Sequence, residues 1–312
     1  MEELENLNIA RSANPIYLYN ENGDRVDVSM EPTLPNQGFD EYLEGTKRKG
    51  KEYSTYEFQG VRVPRVTSIL HYMDGNSDGL NFWAANLGKD FYRERERIRD
   101  IGTKLHEAIA EYLSQGTLST IQHLKRPLRN EVLNCFRNFL AWYNHVKRIG
   151  WQVEIIYTEF PLVTPWYGGT TDLIAVINGR KYVIDFKTSK SIDYKYIIQT
   201  VAYKWAIDNY YPEIGPIDGV GIIRFDKRED VFEDIFLDIS DPYDLSIMNH
   251  CLNSFTYALN LYYSVNVLQQ QINATIKSKT KNSGSISKNT PKKKAIVKSI
   301  MTERNQKDVK VC

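Results

Sequence analysis

Asp172, Asp185 and Lys187 are the residues of this 312-residue chain whose types and spacing point most directly to chemistry. They lie in Gly168-Gly169-Thr170-Thr171-Asp172-Leu173-Ile174 and Val183-Ile184-Asp185-Phe186-Lys187-Thr188, on either side of Asn178-Gly179. Asn-Gly between two apolar strands predicts a two-residue type I′ turn, because both central residues need positive φ. Paired positions in such a hairpin share one index sum, here 357, which sets Asp172 opposite Asp185 on one face with Cβ atoms roughly 5 Å apart. Lys187, two residues on, shares that face. Facing carboxylates on otherwise apolar strands repel, and one pKa rises. A hard divalent cation removes that cost: Mg²⁺ takes one or two carboxylates, keeps waters in its other positions and binds substrate phosphates. A lysine beside it orients a water or stabilises the charge that grows during hydrolysis. The alternative is that Asp172 closes a Gly-Gly turn while Asp185 and Lys187 form a solvated strand face; the apolar flanks Leu173-Ile174 and Val183-Ile184 favour a buried hairpin.

Other residues carry two readings each. His106 belongs to a helix with the apolar face Leu105, Ala108, Ile109, Tyr112 and Leu113, so it is either a hydrogen-bonded boundary histidine or a metal ligand. Gln199 and Tyr203 are i, i+4 neighbours on one helical face, able to bond a phosphate or stack a base, or simply part of an amphipathic helix. Glu159 is an extra acidic ligand or a polar strand residue. Thr188 offers its hydroxyl to a phosphate or ends its strand. Thr67 and Ser68 hold a phosphate at a helix start or cap that helix. The alternating run Arg93-Glu94-Arg95-Glu96-Arg97 reads as a salt-bridged, solvated helix face.

The elements that position these residues follow from hydrophobic period. A helical pattern runs from about Leu80 to Leu113 with a break near Asp100-Ile101-Gly102, and a second follows Pro127 through Leu128, Val132, Leu133, Phe136, Phe139, Leu140, Tyr143 and Val146. From Gln152 the period changes to two, and strands are expected over 172–177 and 181–186. A helix from about Tyr194 to Asn209, strands in 219–225 and 231–238 and a helix from about 241 to 268 complete a mixed α/β body. Asn22-Gly23 predicts a small hairpin in the polar N-terminal stretch. There is no internal repeat and no GxxxxGK[ST] phosphate loop.

Composition bounds the remaining classes. With 42% hydrophobic residues and a mean hydropathy of −0.47, the chain builds one large or two modest domains. Apolar runs such as Val220-Gly221-Ile222-Ile223 are short and the start Met1-Glu2-Glu3-Leu4-Glu5 is acidic, which speaks against a membrane span, a signal peptide or a transit peptide. Cys135, Cys251 and Cys312 show no CxxC spacing, against a disulfide framework, a zinc knuckle or an iron–sulfur cluster, and for a reducing interior. The net charge of +1 hides a split: eleven of 40 basic and two of 39 acidic residues lie in 275–312, so that stretch carries +9 and the other 274 residues −8. Such a tail attracts polyanions without sequence preference, or is a solvated end.

Asp172, a twelve-residue gap and Asp185-Phe186-Lys187 resemble the PD-(D/E)xK nuclease motif in its RecB-like branch. Gly102-Thr103-Lys104-Leu105-His106-Glu107 and Gln199-Thr200-Val201-Ala202-Tyr203 are similar to that branch's histidine-bearing helix and its Q-x-x-x-Y helix. With Pro64-Arg65-Val66-Thr67-Ser68-Ile69-Leu70 and Trp83, the ordered set is similar to the mitochondrial genome maintenance exonucleases and their phage relatives, over about residues 61–210. Asp185 stands where many members carry Glu, and the chain lacks both the mitochondrial address and the iron–sulfur cysteines of some members. The resemblance implies a restriction-endonuclease-like α/β core with a mixed sheet flanked by helices, set over 61–270; it leaves unexplained the polar segment 1–60 and the basic tail 271–312, which composition reads as disordered. It implies a Mg²⁺- or Mn²⁺-dependent exonuclease of single-stranded DNA ends, serving replication, recombination or repair beside a recombination or replication protein; the acidic start without a mitochondrial address fits the cytoplasm of a bacterial or phage-infected cell. His106, Asp172, Asp185 and the Phe186 carbonyl are then metal ligands, Asp172, Asp185 and Lys187 catalytic, and Gln199, Tyr203, Thr188, Thr67 and Ser68 DNA contacts. An endonuclease or duplex-end nuclease of the same chemistry, and a non-catalytic DNA-binding protein, are the rival readings.

Overall fold

Asn178 and Gly179 take φ of 53° and 79°, the left-handed pair that a two-residue type I′ turn requires. In the computed structural model, which describes residues 18–19, 25–26, 56–73 and 85–282, this turn sits at the heart of a mixed α/β fold. In chain order the elements are β1 (Leu18–Tyr19), β2 (Arg25–Val26), β3 (Tyr56–Phe58), β4 (Val61–Val63), α1 (Val66–Leu70), α2 (Phe91–Gln115), α3 (Ser119–Gln122) and α4 (Leu128–Arg148). There follow β5 (Val153–Val163), β6 (Gly168–Ile177), β7 (Arg180–Lys187), α5 (Tyr194–Tyr210), β8 (Gly219–Phe225), β9 (Phe232–Asp238) and α6 (Pro242–Asn282). β1 pairs with β2, setting Leu18 opposite Val26; the Asn22-Gly23 turn expected between them lies outside the described residues, as do Leu80 and Trp83. None of the described helices is long and apolar enough to cross a membrane.

β5 to β9 form one sheet in sequence order. Only β7 and β8 run parallel, and α5 makes the crossover that a parallel pair needs. Side chains alternate across the sheet. Leu173, Ala175, Ile177, Ile184 and Phe186 pack with α2 and α4, whose Leu105, Ile109, Phe136 and Phe139 are buried. Ile174 and Val183 face the other way, against Ile69 of α1, Ile198, Ala202 and Ala206 of α5, and Phe255 and Leu259 of α6. Both faces of the hairpin are therefore covered, which is why its strands read as apolar runs rather than as alternation.

Four local expectations are corrected. α2 runs unbroken through Asp100-Ile101-Gly102; a Cβ at Gly102 would meet only the Thr188 hydroxyl, at 3.7 Å, and Ile101, Leu105, Ala108 and Ile109 keep the helix on the core. The break comes earlier, at a 3₁₀ turn over Gly88–Asp90, where Gly88 has φ 52°. Gly168-Gly169 is no turn either: both residues pair in β6, with Val163 and Leu162, and the reversal is made by Thr164 to Tyr167, where the Tyr167 carbonyl accepts from Thr164 N–H at 2.9 Å. Arg97 is not simply solvated, since it pairs with Glu94 on its own helix and with Glu131 on α4, tying the two helices together. α6 reaches Asn282, into the stretch expected as tail, and the chain divides into two compact units between Tyr263 and Ser264, inside this helix. Residues 283–312 lie outside the described part.

Candidate active site

Backbone pairing between β6 and β7 follows the index sum of 357 from Ile177↔Arg180 to Leu173↔Ile184. The next pair in that series is Asp172 and Asp185, and there the ladder ends. Beyond it β6 pairs with β5 and β7 with β8, so the sheet forks and the freed backbone groups need new partners. Side chains supply them: the Thr171 hydroxyl donates to the Ile184 carbonyl at 3.3 Å, and Phe186 N–H donates to Asp172 Oδ2 at 2.6 Å. Asp172 and Asp185 are both buried at this fork.

His106 reaches the fork from α2. Its Nδ1 lies 3.0 Å from Asp172 Oδ1, and its ring meets Phe186 edge-on, with centroids 6.2 Å apart. Glu159 arrives from β5, at the position between Thr158↔Leu173 and Phe160↔Thr171, hence opposite Asp172. Its φ is 50°, left-handed in the middle of a strand and just past a register shift between Ile155 and Tyr157. One donor atom from each of His106, Glu159 and Asp172 lies within 4.8 Å of the other two. An imidazole and two carboxylates converging from a helix and two strands form a donor set suited to a divalent metal.

Asp185 belongs to a second set. It pairs with Lys187, whose Nζ also donates to Gln199 Oε1 at 3.2 Å and lies 4.8 Å from the centre of the Tyr196 ring. Gln199 is buried and uses its amide nitrogen twice, toward Asp185 Oδ1 at 3.2 Å and Tyr203 Oη at 2.9 Å. Its register on α5 is set by Asp193, the N-cap, which accepts from Lys195 N–H at 2.9 Å. Tyr203 fits because Gly169 has no side chain: a Cβ there would sit 2.3 Å from the Tyr203 ring.

Charge follows from this packing. Burial pushes the Asp185 carboxyl up to about 6, with the Asp172 charge adding to the push against the pull of Lys187. Asp172 is held below the usual range although burial opposes this, because His106, Lys187 and the Phe186 N–H favour its charge. Burial would lower His106, yet the Asp172 carboxylate outweighs it and raises the imidazole to about 9. Glu159 reaches solvent, but partial burial at the fork and the Asp172 charge bring it up to about 7. The fork thus concentrates carboxylates beyond what its own cations neutralise, a condition a divalent ion relieves.

The remaining expected residues fall in different places. Thr188 is buried behind the fork, where its carbonyl accepts from Lys227, and Arg224 donates to the neighbouring Ser189 carbonyl at 3.1 Å. These two cations fix the chain just after Lys187, and no local signal in the sequence marks them. Phe186 is a core residue whose N–H serves Asp172. Thr67 and Ser68 are exposed on α1, whose N-cap is Arg65 rather than either of them. Glu159 gains its place from the β5 register, and Tyr196 from standing one helical turn before Gln199. The first needs a strand pairing that spacing alone does not give; the second was open to an i, i+3 count along α5.

No protein-family description matches the chain, and no curated protein matches it. Among solved structures, the crystal structure of SSO0001 is 14% identical, covers 50% of this chain and 73% of that chain, and has a TM-score of 0.22. A phage related exonuclease from Haemophilus somnus 129PT is 12% identical, covers 67% of this chain and 96% of that chain, and has a TM-score of 0.29. At these scores the likenesses assign neither fold nor function to this chain.

Proposed function

We propose that this chain is a divalent-metal-dependent phosphodiesterase acting on DNA, an exonuclease of single-stranded ends. The observation that carries the reading is the meeting of the His106, Glu159 and Asp172 donor atoms at the sheet fork where Asp185, Lys187 and Gln199 also converge. His106, Asp172 and Glu159 would hold Mg²⁺ or Mn²⁺, with Asp185 and the Phe186 carbonyl as further ligands. Such an ion supplies a water of lowered pKa and neutralises charge on the phosphate. Lys187, fixed by Asp185 and Gln199, orients the attacking water and steadies the charge that grows on the phosphate oxygens. Gln199 holds the lysine and the second aspartate at one spacing. Thr67 and Ser68, exposed on α1, are the proposed contacts to the strand, whereas Tyr203 and Thr188, expected in the same role, are buried and would act by supporting Gln199 and the end of β7. DNA as substrate, preference for single-stranded ends and a recombination or replication partner rest on the resemblance of the ordered motifs.

End-labelled linear and circular single-stranded DNA, incubated with Mg²⁺ or Mn²⁺, test the reading. The linear form is degraded and the circle spared; chelator, Asp185→Ala or Lys187→Ala lowers the rate about a hundredfold or more. Cutting of the circle converts the assignment to an endonuclease. Absence of metal-dependent cleavage on single-stranded and duplex substrates alike, with metal-free binding that Asp185→Ala leaves intact, would replace it with a non-catalytic DNA-binding role.

A further inference from the structure

Lys187 carries a flexible four-carbon stem, and its ammonium must be held if it is to act at one place. Two of its restraints are polar, the Asp185 carboxylate and Gln199 Oε1. The third is the face of Tyr196, a half-buried ring 4.8 Å away at its centre. Tyr196, Gln199 and Tyr203 stand at i, i+3 and i+7 on α5, one row of side chains facing the fork. Tyr196 is in the first turn, its backbone fixed by its own N–H to the Asp193 carbonyl at 3.0 Å and by its carbonyl accepting from the Thr200 hydroxyl at 3.1 Å. A further carboxylate in its place would add repulsion to a fork already rich in negative charge and would bind the ammonium too firmly to release it toward phosphate. A neutral aromatic face attracts the cation without either effect.

We infer that Tyr196 is a positioning residue, its ring holding the Lys187 ammonium toward the reacting phosphate, an inference that rests on the phosphodiesterase reading above. What matters is the ring's negative face, so the phenolic hydroxyl is dispensable.

Tyr196→Phe, Tyr196→Leu and a series carrying phenylalanines of increasing fluorination at position 196 test this, because fluorine drains the ring face at nearly constant shape. Steady-state cleavage of single-stranded DNA, Mn²⁺ binding and thermal melting are followed together. Phe keeps the wild-type kcat; Leu lowers it about two- to thirtyfold, the range of a cation–π contact. KM, Mn²⁺ affinity and melting temperature stay in place, and log kcat falls steadily along the fluorinated series. In the proton spectrum the Lys187 ε-methylene signals are shifted upfield by the ring in the wild type and in Phe, and return to ordinary positions in Leu. An active enzyme with a flat fluorination series, or with Phe as impaired as Leu, would overturn the role of Tyr196 and leave the nuclease reading standing. A chain that cleaves no DNA while the upfield shift is present removes the nuclease reading and the positioning role with it, leaving a structural contact.

Discussion

Glu159 shows how one residue can set local stability against chemistry. A non-glycine residue at φ 50° in mid-strand carries a steric cost of order 1–2 kcal/mol, and like charge on the facing Asp172 adds to it. In return its carboxylate reaches the donor cluster of His106 and Asp172. Two substitutions separate these effects. Glu159→Gln removes the charge and keeps the backbone penalty, whereas Glu159→Asn removes the charge and places a residue tolerant of left-handed φ. Isothermal titration with Mn²⁺ is expected to show affinity reduced about tenfold or more in both. Thermal melting should set Asn above Gln by a few degrees, since roughly 1 kcal/mol corresponds to about 2–4 °C in a body of this size. Equal melting of the two would mean that the backbone there is relaxed; unchanged Mn²⁺ affinity would remove Glu159 from the ligand set.

At the scale of elements, the β6–β7 hairpin and α5 act as one device, and Gly169 is one of the points where they touch. Adding a methyl group there drives Cβ to 2.3 Å from the Tyr203 ring, so either β6 shifts or Tyr203 leaves Gln199. Gly169→Ala is expected to cost about 1–3 kcal/mol in chemical denaturation, as overpacked cores do, and to lower cleavage beyond the loss of folded protein. The companion Gly169→Ala/Tyr203→Phe keeps most of the clash and so should not recover; Gly169→Ala/Tyr203→Leu, which empties the space, should regain stability but not the Gln199 contact. Full activity in the first variant would show that the Gly169–Tyr203 packing does not hold the site. This device is largely legible in the sequence, because a two-residue Asn-Gly turn fixes register, and register places Asp172, Asp185 and Lys187 on one face. Helical spacing puts Gln199 and Tyr203 on one face, but as contacts to a phosphate or base, whereas the structure buries both, with Gln199 bonded to Asp185 and Tyr203. Glu159 was harder to place: its position depends on where β5 pairs, on a register shift near Ile156 and on a left-handed residue, none of which leaves a local pattern. The misplaced break in α2 has a similar cause, for Gly102 costs little where the apolar stripe through Ile101 and Leu105 continues on the core. α6 extends past the expected end near 268 because Ile272 and Ile276 continue the four-residue apolar spacing beyond Leu268, with Gln, Ala and Lys sustaining the helix to Asn282.

For the molecule as a whole, the difficulty is electrostatic. Outside residues 275–312 the chain is acidic, and many of its described cations are already engaged: Arg97 with Glu94 and Glu131, Arg99 with Glu96, Lys204 with Asp208, Arg224 with Glu233. A polyanion approaching the fork meets three carboxylates as well. Residues 283–312, in contrast, hold eight of the basic side chains and only Glu303 and Asp308 in opposition. If the chain grips DNA through counterion release, most of that grip belongs to this segment, because each phosphate it neutralises contributes about 0.7 to the slope of log affinity against log salt on single strands. Removing 283–312, a cut that leaves every residue of the fork and all of α6 in place, is therefore expected to flatten the slope by about 2 if only three of those cations reach phosphates. Fluorescence anisotropy of a labelled oligonucleotide between 50 and 300 mM salt, in Ca²⁺ to hold back cleavage, reads this directly. The same truncation should leave kcat at saturating substrate unchanged, because no group assigned to the fork is lost, and should raise KM steeply at low salt. An unchanged slope would place the DNA grip on the acidic body, where it must act through the metal centre itself, and affinity would then follow Mn²⁺ concentration more closely than ionic strength.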